Sequence, residues 1–87
     1  MPKLKPSELD MACEIVTRNI CAQGDINGCT TVQQKAARIG IAPATFSSRK
    51  QNPRMWRLEE IVRASIAFKC SIAWLVTDHK GEYKDKP

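Results

Sequence analysis

Apolar residues recur along this chain at helical spacing in short blocks, with polar punctuation between them. Leu9, Cys13, Val16 and Ile20 mark one face of a first segment, which starts near Ser7, just after Pro6. Glu8 and Asp10 fall in its first turn, where the helix dipole favours acids. Gln23 to Gly28 then reads as a loop, because Gly, Asn and Asp crowd together there. Thr30 and Thr31 each precede a Gln by three residues, the signature of a capping box, and Val32, Ala36 and Ile39 form the buried face of the helix they open. Gly40 ends that helix, where a left-handed backbone is needed. Pro43 suits the first turn of the next one, since its missing N–H would be unpaired there anyway. This helix runs to about Gln51, anchored by Phe46, and Asn52-Pro53 stops it. A fourth helix covers Arg57 to Phe68, with Leu58, Ile61, Val62, Ser65 and Phe68 on or near one face. Ser71 to Val76 forms a short fifth helix.

No alternating run is long enough for a strand, so the pattern predicts an all-α fold, a compact bundle of about five short helices. The domain is expected over residues 1–76, with a polar tail over 77–87. Eighty-seven residues make one domain near the lower limit for a self-sufficient core. The apolar fraction of 43 % and charged fraction of 26 % are those of an ordinary globular chain. No apolar run approaches the roughly 18 residues a membrane span needs. Met1 to Pro6 carries positive charge without an apolar stretch behind it, so no secretory leader is expected and the location implied is the cytoplasm.

Cys13, Cys21, Cys29 and Cys70 include no close pair of the kind zinc sites use, and the single His79 stands apart in the polar tail. Four free thiols follow, with Cys21 and Cys29 the pair best placed for adventitious oxidation, and no metal, cofactor or small-molecule ligand is expected. Catalysis needs a clustered nucleophile, base or metal set, and no such cluster is legible, so an enzyme is not expected.

Charge changes the picture more. Between Ile26 and Leu58 there is no Asp or Glu, yet the stretch carries Lys35, Arg38, Arg49, Lys50, Arg54 and Arg57. The whole-chain net charge is +5, so the remainder is about neutral and the excess lies in one continuous third. A basic stretch kept clear of carboxylates suits a phosphate backbone, because each Lys or Arg that replaces a counterion gains affinity.

The same stretch resembles the phage repressor and Cro-type (lambda-repressor-like) helix-turn-helix family. The matching residues are Thr31, Ala36, Gly40, Ile41, Thr45 and Phe46, followed by Leu58, Ile61, Ser65, Ala67, Phe68, Ser71, Ile72, Trp74 and Leu75. The likeness runs over about residues 30 to 76, with the helix-turn-helix itself at about 31–51. It implies a sequence-specific double-stranded DNA-binding regulator, of phage or prophage type, that binds a palindromic operator as a dimer. Carried over by position, it assigns base reading to Val32, Pro43, Ala44, Thr45, Ser47, Ser48 and Arg49. It assigns phosphate contacts to Thr31, Lys35, Arg38, Lys50, Asn52 and Arg54. Ile66, Ile72 and Trp74 are the expected homodimer interface. Lys35 and Arg49 stand where the family has apolar side chains, so their stems are expected over the core with their heads on DNA. Lys69 replaces the family's Gly after the fourth helix, and the loop before the second is longer. The chain would end where the longer relatives begin a second domain. The rival readings are a protein-interaction module, such as an antitoxin-like or accessory factor, and a non-specific architectural DNA binder.

Overall fold

The computed structural model describes residues 8–80. Five α-helices follow one another: α1 Glu8–Ile26, α2 Val32–Ile39, α3 Pro43–Gln51, α4 Leu58–Phe68 and α5 Ile72–Val76. A 3-10 turn, Pro53–Met55, lies between α3 and α4. No strand occurs among the described residues, so the all-α class stands. The expected start near Ser7 and the tail beyond residue 80 lie outside the described residues. No helix among those described is long and apolar enough to cross a membrane.

Every helix supplies the core: Val16 and Ile20 from α1, Ala36 and Ile39 from α2, Phe46 from α3, Ala64 and Phe68 from α4, Leu75 from α5, with Cys29 from a connection. α1 packs on α5, the 3-10 turn and α4, while α2 packs on α3 and α4. Ala36 and Ala64 are fully buried, and α2 and α4 pack on each other. The core therefore unites α1 and α5 on one side with α2 and α3 on the other.

Two apolar assignments differ from the sequence reading. Leu9 is 55 % exposed and Leu58 is 71 % exposed. Helical period finds a face, but only a neighbouring element can cover it. Nothing among the described residues covers these two ends.

α1 also continues through Gln23, Gly24, Asp25 and Ile26, where a loop was expected. Gly24 does not break the helix; it makes room. A Cβ there would lie 2.7–2.9 Å from the Cε, Cγ and Cδ carbons of Lys35. The helix ends one turn later. Cys29 N–H donates to the Gly24 carbonyl at 2.7 Å and Gly28 N–H to that of Asp25 at 3.1 Å, with Gly28 at φ 86°.

The corner after α4 has the same form with a less suitable residue. Lys69 takes φ 58°, while Cys70 N–H donates to the Ser65 carbonyl at 3.0 Å. A left-handed backbone costs a residue with a Cβ about 1 kcal/mol. Lys69→Gly is expected to stabilise the domain by about that amount, raising the thermal midpoint by roughly 4–8 °C. An unchanged or lower midpoint in a calorimetric scan would show that the Lys conformation is not strained.

Candidate nucleic-acid interface

The segment from Thr31 to Asn52 is fixed at each of its joints. Thr31 Oγ1 accepts the Gln34 N–H at 3.1 Å, and Gln34 Oε1 accepts the N–H groups of Thr30 at 2.8 Å and Thr31 at 3.3 Å. That is a reciprocal capping box, worth about 1 kcal/mol for the Thr hydroxyl. At the far end of α2, Gly40 adopts φ 92°, and the Ala36 carbonyl accepts N–H groups from Gly40 at 2.8 Å and Ile41 at 3.0 Å. Ala42 is extended and Pro43 opens α3. The left-handed residue turns the chain at once, and the proline restarts a helix within three positions.

Phe46 then decides which way α3 faces. Its ring is fully buried and meets Trp56 edge-on, with centroids 5.8 Å apart and planes at 88°. Trp56 Nε1 in turn donates to Thr17 Oγ1 of α1 at 2.7 Å, so this indole is a packing element. With Phe46 inward, Pro43, Ala44, Ser47 and Ser48 are exposed and Thr45 is half-buried. Among the described residues, none of the hydroxyls of Thr45, Ser47 and Ser48 is occupied by a hydrogen bond. Val32 is half-buried against the core.

The cations are rearranged relative to their reading in sequence. Lys35 is only 6 % exposed, and its Nζ pairs with Asp25 Oδ1 at 3.0 Å across the space that Gly24 leaves open. Arg49 closes a fork on Glu60, with Nε to Oε1 and Nη2 to Oε2 both 2.9 Å. Arg54 Nε lies 2.8 Å from Asp10 Oδ1 in a half-exposed pair. Lys35 and Arg49 therefore do not present their heads outward, as had been expected of a phosphate contact and a base reader. Each has found a carboxylate from outside the acid-free stretch. Arg38, Lys50 and Arg57 are exposed and, among the described residues, stand in no ion pair. Asn52 is exposed at the end of α3, and Thr31 is exposed with its hydroxyl committed to the cap.

The Arg49–Glu60 fork ties α3 to the first turn of α4, and Glu60 Oε1 also accepts the Arg57 N–H at 2.9 Å. These bonds, led by those from Arg49, hold the Glu60 carboxyl below the usual carboxylate range against the opposing effect of burial. The same partner raises the Arg49 guanidinium. A depressed carboxyl contributes stability that is complete above the unfolded value of about 4.3 and is lost as pH falls through the lower folded value. The native chain's resistance to chemical denaturation should thus weaken below about pH 4. Glu60→Gln should start lower at neutral pH and fall less steeply on acidification. Two parallel pH curves would remove Glu60 from the acid limb.

One residue passed over in the sequence reading has uncommitted chemistry. Gln33 is exposed, and the capping box uses only Gln34. The signal was present, because two consecutive Thr-x-x-Gln registers cannot both close. Ile66 is 71 % and Ile72 41 % exposed, whereas Trp74 is half-buried against the core with its ring 4.1 Å from that of His79. The cysteines are free, and burial pushes the Cys21 and Cys70 thiols up, away from the reactive thiolate form. No His, Cys, Asp or Glu group among the described residues is arranged to hold a metal ion. No family model, curated protein or solved structure matches this chain.

Proposed function

We propose that this protein is a sequence-specific DNA-binding regulator, in which α2, its turn and α3 act as a helix-turn-helix. The observation that carries this reading is the outer face of α3: Pro43, Ala44, Ser47 and Ser48 exposed, hydroxyls uncommitted, on a helix anchored from behind by Phe46. Such a ridge suits a major groove, where hydroxyls bond several base edges and Ala or Pro side chains meet a thymine methyl. Arg38, Lys50 and Asn52 supply phosphate contacts around it, with Arg54 joining them from its half-exposed pair with Asp10, and Lys35 and Arg49 serve as internal supports. By its resemblance to the repressor and Cro-type family, the protein acts as a dimer on a two-fold operator, in a phage or prophage setting. It acts by occupancy, without catalysis.

The test is selection of binding sites from a random duplex pool, then titration of the winner and a scramble at two salt concentrations. A palindromic winner bound far more tightly than the scramble is the expected result. Arg38→Ala should lower the salt slope by about one unit on both duplexes. Equal affinity for winner and scramble would leave a non-specific architectural binder. A protein-interaction module is favoured by a separate observation: half of the six cations are paired internally, while Leu58 and Ile66 are each 71 % exposed. It predicts weak binding to every duplex.

A further inference from the structure

The outer surface of α4 is unusual for a helix in so small a domain. Leu58, Val62 and Ile66 recur every fourth residue and so share one face. Leu58 and Ile66 are each 71 % exposed, and Val62 is half-buried between them. Glu60, Ala64, Ser65 and Phe68 take the inward side. One flank of the apolar stripe carries Glu59 and, one turn on, Arg63, both exposed. Among the described residues neither is in an ion pair. Arg63 Nη1 makes only a long contact, 3.4 Å, with the Gly40 carbonyl.

We infer that this face pairs with the same face of a second copy, α4 antiparallel to α4, about a two-fold axis beside Val62. The inference deepens the proposed function, since it names the surface that makes the regulator a dimer. In that arrangement Leu58 meets Ile66 of the second copy, Ile66 meets its Leu58, and the two Val62 side chains meet at the axis. A two-fold axis lying in the interface keeps each flank on its own side while reversing its direction. Glu59 then stands about one turn or less from Arg63 of the second copy, and Arg63 from its Glu59; the two Arg63 residues are as near along the axis but sit further round each helix from the stripe than Glu59 does. An acid and a base on one flank, flanking an aliphatic stripe, form a self-complementary pattern. A foreign partner of one charge would meet both signs. Three aliphatic side chains per copy make a small contact, so the dimer is weak, with a dissociation constant on the order of micromolar. Ile66 keeps its place in the interface, whereas Trp74 is occupied with core and His79.

The test is sedimentation of the full chain without DNA. The native protein should show a concentration-dependent monomer–dimer equilibrium. Glu59→Arg and Arg63→Glu each place two like-charged pairs across the axis, and each alone should raise the dissociation constant by at least about tenfold. An equimolar mixture of the two variants should dimerise again, because every cross-axis pair is then opposite in sign. Intrahelical effects cannot give that restoration, and unchanged circular dichroism would confirm that each variant is folded. Val62→Asp, which buries a charge at the axis, should be monomeric. Variants that dimerise like the native chain, or a mixture that stays monomeric, would overturn the interface. A native chain that is monomeric yet selects one duplex would remove this surface and leave α3 as the reader. A dimer that obeys the charge rule but prefers no duplex would keep the surface and remove the DNA reading.

Discussion

Replacing Asn19 by Asp should destabilise the domain by about 3–5 kcal/mol at neutral pH, the range seen when a buried charge loses its compensation. Much of that loss should return on acidification. Asn19 is fully buried, and its Nδ2 donates to the carbonyls of Leu75 at 2.8 Å and Thr77 at 2.7 Å, with that of Trp74 at 3.2 Å. These carbonyls belong to the end of α5, a helix of only five residues that cannot hold itself in isolation. The amide is thus a clamp between α1 and α5. Its Oδ1 is buried without a hydrogen-bond partner, so the amide orientation follows from the carbonyls alone. An Asp in this place presents oxygen to oxygen, and only a protonated carboxyl could donate even one bond. Its folded pKa must therefore rise above the unfolded value of about 3.9. A raised carboxyl recovers stability as pH falls through that folded value, opposite in sign to the Glu60 effect. Asn19→Leu separates the two contributions. It leaves the carbonyls unpaired but introduces no charge, so about 1–3 kcal/mol is lost with no added pH dependence. Urea unfolding at neutral and mildly acidic pH decides the matter. Equal losses for Asp and Leu at both pH values would show that the amide is not the clamp.

Asn19 also marks where sequence reading stops. α2, its turn and α3 were legible because their signals are local: Thr31 and Gln34 for the cap, Gly40 for the left-handed turn, Pro43 for the restart. The inward and outward faces of α3 followed from Phe46. What failed was non-local. Gly24 looked like a terminator because its real reason, the stem of Lys35, comes from another helix. Lys35 and Arg49 looked like outward cations because Asp25 and Glu60 lie outside the acid-free stretch and reach it only after folding. Leu9 and Leu58 fitted a helical period and lacked a neighbour to cover them. A polar residue whose purpose is to hold a helix fifty-odd positions away leaves no mark in a hydrophobic pattern.

Phe46→Ala should remove about 3–5 kcal/mol, the usual loss for a buried Phe truncated to Ala. Few single changes to so small a domain could do more, since total stability is about 5–15 kcal/mol and an 87-residue chain sits low in that range. The ring is the sole fully buried side chain of α3, and through Trp56 and Thr17 it connects that helix to α1. Its loss frees α3 to rotate against the core. On the proposed reading, site selection should therefore fail in this variant, even where helicity survives. The opposite face supplies the control. Ser47→Ala changes an exposed position, so stability should stay within about 0.5 kcal/mol. If α3 reads DNA, the same change should shift the selected duplex, or weaken binding to it by roughly tenfold for one lost base contact of about 1 kcal/mol or slightly more. On the proposed DNA-binding reading, the two variants divide one helix into an inward face that governs stability and an outward face that governs selection. A Phe46→Ala protein as stable as the native chain would break the first half of this argument. Ser47→Ala and Ser48→Ala proteins that select the native duplex with native affinity would break the second, and α3 would then be a structural helix whose exposed hydroxyls read nothing.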